Sequence, residues 1–254
     1  MKQTPQRFWQ IFFELYEELP RQGPGSRTCT AKALSLCSDL PPEPVILDLG
    51  CGSGCQTLHL AELTTGSILA VDNHAPFITR LKAVLDRRGL SPRVQARVGD
   101  MARLDLPPES FDLMWSEGAL YSIGIENAVQ ICCGLLRPGG CLAFTDAVWR
   151  VENPPQEIKK SFDLDYPAMG RAEDVERVIV NSGFNQIGRF TLPDEAWWKD
   201  FYTPMERRIA ELRSSYADDA EVMAILDQLG REPELHRRYS HCYAYEFFVV
   251  RKST

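Results

Sequence analysis

Apolar residues in this chain gather in short runs that are separated by longer stretches with helical spacing. Runs with the length of strands lie at 45–49, 67–72, 92–98, 111–115, 141–146, 184–192 and 243–250. Short, nearly continuous apolar runs are typical of strands that are buried on both faces of a parallel sheet. Since helical stretches alternate with these runs, the pattern predicts an α/β three-layer sandwich built on a mostly parallel sheet of seven strands.

The chain before the first strand has a different pattern. Residues 5–19 carry aromatic and acidic residues at helical spacing, and residues 20–26 are rich in proline and glycine. Together with the helical stretch that follows them, residues 1–40 are predicted to form an N-terminal helical lid. Two interpretations of residues 20–26 stay open, since they are either a linker or a substrate-binding loop in which Arg21 and Gln22 bind a carboxylate.

Two segments interrupt the alternation of strands and helices in the remaining domain, residues 41–254. Regular spacing is lost at about 147–169, a polar and aromatic stretch, and residues 193–234 are helical and charged. Both are predicted to be insertions. The first is a candidate substrate lid, because variable chemistry on a constant sheet is usually built from loops. The aromatic residues of the second are expected to pack inside the protein.

Charge and hydropathy narrow the choice of partners. The formal net charge is −7 and the sequence pI is about 5.2. A sequence-independent nucleic-acid binder needs a basic face, so small molecules or a protein are the expected partners. No apolar run approaches the length of a membrane span, and the first residues lack the pattern of a secretory leader.

The eight cysteines predict a reduced, cytoplasmic environment. Several fall on expected core strands or helices, without paired C-x-x-C spacing. Cys51 and Cys55 are separated by three residues, but both belong to one glycine-rich loop, and the sequence has no second pair at metal-ligand spacing to complete a site. A metal site is therefore not expected.

A glycine-rich loop follows the first strand. Asp48 near the end of that strand precedes Gly50, Gly52 and Gly54, and a helical stretch begins directly afterwards. Glycines let a ligand approach the backbone, and the start of a helix offers free N–H groups. A dinucleotide fingerprint would place its third glycine at position 55, one residue later than it stands here. A tight turn without a ligand is the competing interpretation.

This loop resembles motif I of the class I S-adenosylmethionine-dependent methyltransferases, which reads acid-x-Gly-x-Gly-x-Gly. The stretch at 136–142 is similar to the "LxPGG" landmark of the same family. The resemblance covers about residues 44–190 together with the last strand. It implies a Rossmann-like sheet whose last strand is antiparallel, and S-adenosylmethionine as the cofactor.

The resemblance also implies which residues hold the cofactor. Asp72 ends the second strand, 18 residues beyond Gly54, where an acid reaches a ribose diol. Asp100 would accept from the adenine amino group, and Met101 would pack on the ring. Capping of the next helix remains an alternative for Asp72, and a surface turn remains one for Asp100. The complete predicted cofactor set is Asp48, Gly50, Cys51, Gly52, Gly54, Asp72, Asn73, Asp100, Met101 and Ser116.

Residues 115–121 are expected to face both cofactor and substrate, because ligands of such sheets bind at the carboxyl ends of the strands. Glu117 is the candidate general base, Tyr121 an orienting hydroxyl, and Trp115 a substrate contact. Glu117 has two further interpretations, since it either binds a cationic substrate or caps the next helix.

Methyl transfer to a small-molecule acceptor by in-line displacement is the predicted function. No Asn-Pro-Pro-Tyr or Asp-Pro-Pro-Tyr follows the fourth strand, so the chain does not resemble the amino-methylases of nucleic-acid bases or glutamine. A non-catalytic protein that binds S-adenosylmethionine is the first alternative, and an NAD-dependent oxidoreductase the second. The sequence names neither the acceptor atom nor the oligomeric state.

Overall fold

One seven-stranded sheet organises the computed structural model, which describes residues 6–253. Its strands are β1 (Val45–Leu49), β2 (Ser67–Asp72), β3 (Val94–Val98), β4 (Phe111–Glu117), β5 (Leu136–Trp149), β6 (Phe184–Thr191) and β7 (Tyr243–Lys252). The spatial order is β3-β2-β1-β4-β5-β7-β6. The first five strands pair in parallel, and β7 lies antiparallel between β5 and β6. The predicted fold class is confirmed.

Helices cover both faces of this sheet. They are α1 (Gln6–Tyr16), α2 (Arg27–Leu36), α3 (Cys55–Leu63), α4 (Ala75–Arg87), α5 (Ile125–Leu135), α6 (Gln156–Asp165), α7 (Ala172–Asn181), α8 (Glu195–Trp197), α9 (Thr203–Ser215) and α10 (Ala220–Tyr239). Side chains alternate along the strands, so Met114 belongs to one apolar cluster while Leu113 and Trp115 belong to the other. The first cluster includes residues of α5 and α7, and the second those of α2, α3 and α4.

The sheet departs from the sequence prediction in two places. Strand β5 begins at Leu136, so the glycine-rich turn at 137–140 lies inside it as an irregularity: Phe111 pairs with Leu136, and the next pair is Leu113 with Cys141. The loss of regularity expected at about 147–169 is wrong, because β5 continues to Trp149 and α6 occupies Gln156–Asp165. Nine residue pairs with β7, from Cys141 to Trp149, explain the length of β5, since the neighbouring strand satisfies its backbone groups.

The N-terminal helix and the late helical segment pack against each other. The Tyr16 hydroxyl of α1 donates to Glu232 of α10 at 3.3 Å, and the Tyr216 hydroxyl donates to Glu14 at 3.0 Å. A short π-helical stretch, Trp198–Tyr202, joins α8 to α9 and is buried at Phe201 and Tyr202. The aromatic stripe of this segment thus packs inside, as predicted. Residue 5 of the predicted first helix lies outside the described residues.

Within residues 6–253, no helix is long and apolar enough to cross a membrane. All eight cysteines are free thiols.

Candidate functional site

The carboxyl ends of the parallel strands open into a cavity of about 270 Å³. Eleven of the fifteen predicted site residues line it: Arg21, Gln22, Gly50, Cys51, Gly52, Asp72, Asn73, Asp100, Met101, Glu117 and Tyr121. Residues from the lid, the glycine loop and three later strand ends therefore meet in one place. Asp48, Gly54, Trp115 and Ser116 do not line the cavity.

Two glycines of the loop are required by their surroundings. Gly50 and Gly52 adopt φ of 68° and 53°, a region that L side chains rarely occupy. A Cβ atom at Gly50 would overlap the Ala119 side chain, and one at Gly52 would overlap the side-chain oxygen of Gln22. The loop backbone is therefore in direct contact with the structures around it, and the N–H groups of residues 50–54 already donate hydrogen bonds within the protein.

Asp48 lies beneath the loop instead of in the cavity. It is fully buried and accepts a hydrogen bond from Thr57 Oγ1 at 2.5 Å and a longer one from Gln56 Nε2 at 3.4 Å. Burial raises its pKa to about 7, although the bond from Thr57 opposes that change. Asp48 thus joins β1 to the first turn of α3, and Gly54, at φ 87°, is covered by Leu81.

The second strand ends in a carboxylate that holds two backbone groups. Asp72 Oδ2 accepts from Gly52 N at 2.9 Å, and Oδ1 accepts from His74 N at 2.8 Å. His74 is the N-cap residue of α4, so Asp72 supports the glycine loop and the residue before the helix without capping the helix itself. Each carboxylate oxygen has two lone pairs, which leaves capacity for a hydroxyl donor from the cavity. Asn73 lines the cavity beside it.

Asp100 and Met101 follow β3 on the opposite side of the cavity. Asp100 Oδ1 accepts from Ala102 N at 2.9 Å, which orders this turn. Both residues line the cavity together with the apolar side chains of Phe77 and Ile123. This wall therefore combines one carboxylate acceptor with apolar side chains, the two features on which the sequence analysis based its adenine hypothesis.

The segment before α2 is held onto the glycine loop. Gln22 Oε1 accepts from Ser53 N at 2.9 Å and from Ser53 Oγ at 3.1 Å. The preceding helix is attached at a second point, since His74 stacks on Phe13 with ring centroids 3.8 Å apart and its Nε2 lies 2.7 Å from Glu17 Oε1. The lid is therefore fastened on both sides of the cavity.

Glu117, at the end of β4, is the most fully bonded side chain of the site. Its Oε2 accepts from Arg21 Nη2 at 2.6 Å, while Oε1 accepts from Trp115 Nε1 at 2.8 Å and from Thr30 Oγ1 at 3.1 Å. The Arg21 and Glu117 side chains are only 4% and 1% exposed. Arg21 Nη1 is buried and finds no hydrogen-bond partner among the described residues.

Trp115 and Ser116 differ from the prediction, because both side chains are buried within the sheet, on opposite faces of β4. The Trp115 ring packs edge-on against Phe247 at 5.3 Å in the second core, so it supports Glu117 and does not contact the cavity. The Ser116 hydroxyl is buried and donates to Leu49 O at 2.8 Å, which joins β4 to β1.

Tyr121 leads to residues that the sequence analysis missed. Its ring lies 4.9 Å from that of Tyr166, whose hydroxyl donates to Asp146 Oδ2 at 2.8 Å. Burial raises the pKa of Tyr121 to about 12, and the nearby carboxyl groups Asp165, Glu232 and Asp146 add to the rise. An acid at the end of an apolar strand was the signal for Asp146, as it was for Asp72. Tyr166 has no comparable sequence signal.

Residues 46–140 match a family model described as a methyltransferase domain. The resemblance seen in the glycine loop and at 136–142 is thereby confirmed for this part of the chain. The match ends inside β5, so the model covers neither the lid nor the helices after β5.

Two curated relatives of the chain are longer proteins. A sterol 24-C-methyltransferase of Saccharomyces cerevisiae is 23% identical over 211 residues, which are 75% of this chain and 55% of that protein. A sarcosine/dimethylglycine N-methyltransferase of Halorhodospira halochloris is 26% identical over 166 residues, 64% of this chain and 59% of that protein. The chain spans little more than half the length of either relative.

A solved structure shares the fold over almost the whole chain. It is a methyltransferase from Geobacter sulfurreducens in complex with S-adenosyl-L-homocysteine, with a TM-score of 0.81 and 17% sequence identity. The similarity covers 98% of this chain and 99% of that one. The lid and the late helices therefore belong to an architecture that this solved methyltransferase also has.

Proposed function

We propose that the protein is an S-adenosylmethionine-dependent methyltransferase that acts on a small-molecule acceptor. The observation that carries the proposal is the single cavity at which the glycine loop, Asp72, the Asp100–Met101 wall and the lid residues meet. The curated relatives named above methylate a sterol and small amino acids by their names, which supports a small-molecule acceptor.

The residues of the cavity fit this cofactor. Asp72 has acceptor capacity for a ribose diol, and Asp100 with Met101 suits an adenine ring. The buried Arg21 Nη1, which has no partner among the described residues, suits the carboxylate of the cofactor's amino-acid end. A buried guanidinium nitrogen without an acceptor is costly, so an anionic ligand at this position relieves an existing energetic penalty.

When bound, S-adenosylmethionine supplies a methyl group on a positively charged sulfur, which is a good leaving group. The protein then has to align the acceptor with that methyl group and exclude water. Gln22 and the helix before it close the cavity over the glycine loop and provide this exclusion.

We infer that Glu117 positions Arg21 and is not the proton acceptor. Three donors occupy its oxygens, one of them a guanidinium at 2.6 Å. A general base needs a free lone pair directed at the acceptor's proton, and the donors around Glu117 compete for that position. Tyr121 remains the candidate orienting hydroxyl, since it lines the cavity next to Gly118.

The two alternatives from the sequence receive less support. A protein that binds without reacting would have a mouth closed by Trp115, by Tyr121 or by the segment at 147–169. The Trp115 ring is directed into the core, and Tyr121 lines the cavity wall. An NAD-dependent enzyme would need room for a second nucleotide beyond the loop, where Gln22 bonds to Ser53 instead.

Calorimetric titration with S-adenosylmethionine, S-adenosylhomocysteine and, separately, NAD tests the cofactor assignment. We expect micromolar binding of the first two and none of NAD. Asp72→Ala should abolish binding, whereas Asp218→Ala, an exposed acid in the loop before α10, should leave it unchanged. NAD binding, or equal behaviour of the two variants, would contradict the proposal.

A further inference from the structure

A second cluster of polar residues lies behind Tyr121, outside the wall described above. It consists of Tyr16, Tyr121, Tyr166, Tyr245, Asp146 and Glu232, and we refer to it as the inner chamber. Tyr121 lines the cofactor cavity, and the Tyr245 ring lies beside Gly118, another residue of the cavity wall. The inner chamber is therefore adjacent to the place where a methyl group would be presented.

Asp146 is the most unusual member of the inner chamber. Its side chain is fully buried, and Oδ2 accepts the Tyr166 hydroxyl at 2.8 Å. Oδ1 is also buried and has no hydrogen-bond partner among the described residues. A buried carboxylate oxygen without a donor is energetically unfavourable, so a missing donor is implied at this point.

Glu232 places a second carboxyl group at the chamber from the opposite side. It accepts from Tyr202 at 3.0 Å and from Tyr16 at 3.3 Å, and both tyrosines are buried. Glu232 nevertheless keeps accessible surface, although removal from bulk solvent raises its pKa to about 6. That surface therefore faces a deep recess next to the tyrosines and not the outer surface of the protein.

Acidic groups in the chamber have no positive partner. The groups that act on the pKa of Asp146 are the Tyr166 hydroxyl and a backbone amide, besides burial. Those that act on Glu232 are two tyrosine hydroxyls and the carboxyl group of Asp165. Among residues 6–253, no Arg, Lys or His forms an ion pair with Asp146 or Glu232. Buried carboxylates are normally paired, and tyrosine faces attract cations as well.

From this arrangement we propose that the inner chamber is the acceptor site and that the acceptor is a small aliphatic amine, methylated on nitrogen. This inference rests on the proposed methyltransferase function and adds the substrate class. An ammonium ion supplies both the donor that Asp146 Oδ1 lacks and the charge that the chamber lacks. The rings of Tyr121 and Tyr166 hold its alkyl groups and its charge.

Methyl transfer to an amine with a removable proton begins with loss of that proton. The bound ammonium ion gives one proton to Asp146, which frees the nitrogen lone pair. The lone pair forms the bond to the methyl carbon while the carbon–sulfur bond breaks, and sulfur keeps its electron pair as a neutral thioether. The product leaves as a methylated ammonium ion, and Asp146 returns its proton to water.

A matched pair of probes tests the charge preference. N,N-dimethylethanolamine is positively charged at pH 7.5, and 3-methyl-1-butanol is its neutral isostere. Each is titrated calorimetrically into the full chain, with and without S-adenosylhomocysteine. We expect the amine to bind at least tenfold more tightly than the alcohol. Equal affinity for the two probes, or no binding of the amine, would overturn the proposal.

Variants of the two chamber carboxyl groups test where the amine binds. Asp146→Asn and Glu232→Gln preserve shape and hydrogen bonding, and each should weaken amine binding at least tenfold without changing the affinity for S-adenosylhomocysteine. The exposed residues Asp163 and Glu234 provide the matched controls Asp163→Asn and Glu234→Gln, which should bind like the unmodified protein. Near-ultraviolet circular dichroism confirms folding. Unchanged amine affinity in both chamber variants would contradict the proposed acceptor site. If the unmodified protein does not bind S-adenosylhomocysteine, the methyltransferase proposal itself is contradicted.

Discussion

Arg21 and Glu117 form an ion pair of 2.6 Å across 96 positions of sequence, and both side chains are almost completely buried. The pair joins the segment between α1 and α2 to the end of β4, so the lid cannot move away without exposing two opposite charges. A broken buried pair is far more costly than a broken surface pair. The pair is therefore a structural condition for the closed cavity.

A double-mutant cycle of Arg21→Met and Glu117→Gln should show strong coupling. Each single variant leaves one buried charge or its partners unsatisfied, at a cost of about 3 kcal/mol in the free energy of unfolding. The double variant should lose much less than the sum. The exposed pair Arg27–Glu62, at 3.1 Å, provides the control cycle, for which about 0.5 kcal/mol or less is expected. Chemical denaturation measures both cycles, and equal coupling energies would contradict the role of burial.

Gln22→Ala should weaken cofactor binding with little effect on stability. The substitution removes the acceptor for Ser53 N and Ser53 Oγ, so residues 20–26 lose their attachment to the glycine loop. A roughly tenfold rise in Kd for S-adenosylmethionine is expected, from faster dissociation, since about 1.4 kcal/mol corresponds to tenfold. Stopped-flow fluorescence measures the dissociation rate. Gln10→Ala on the exposed face of α1 should leave that rate unchanged.

Comparison of Gly52→Ala with Gly89→Ala separates the effect of backbone strain from the effect of a steric clash with the added methyl group. Both glycines have positive φ, 53° and 66°, but a Cβ atom at Gly89 meets nothing within 4 Å, whereas one at Gly52 overlaps Gln22. Both variants should lose about 1 kcal/mol of stability from strain. Only Gly52→Ala should also abolish cofactor binding in a calorimetric titration. Intact binding by that variant would show that the contact with Gln22 is dispensable.

Asp48→Asn should remove a pH dependence from the stability of the protein. Burial raises the folded-state pKa of Asp48 to about 7, above the usual value of about 3.9 for a free aspartate. Its contribution to stability is therefore fully present below about pH 4 and is lost as pH rises through about 7. Between pH 5 and 8, the unmodified protein should therefore lose on the order of 1–2 kcal/mol relative to Asp48→Asn. Denaturation at several pH values measures this difference. For the exposed control Asp163→Asn the difference should not vary with pH.

Strand positions were well predicted because a buried parallel strand needs an uninterrupted apolar run, and that requirement is local. The run at 67–72 is β2 itself, and that at 45–49 is β1. Strand β5 was predicted too short, since its extension to Trp149 is stabilised by pairing with Tyr243, which is distant in sequence. Helix α6 was missed because its sequence has a weak apolar pattern and packs mainly through Ile158.

The sequence by itself determined the glycine loop, the acids at the ends of β1 and β2, and the turn after β3, because glycine spacing and strand ends are local properties. Tertiary structure alone decided which of these residues reach the cavity. Trp115 and Glu117 lie on the same face of β4, and tertiary packing places the Trp115 ring against Phe247 while Glu117 pairs with Arg21. The chain after α6 brings the Tyr166 hydroxyl to Asp146, and α10 brings Glu232 to Tyr16 and Tyr202. The physical reason is that charge pairing and side-chain direction depend on neighbours that folding brings together, and no spacing along the chain encodes them.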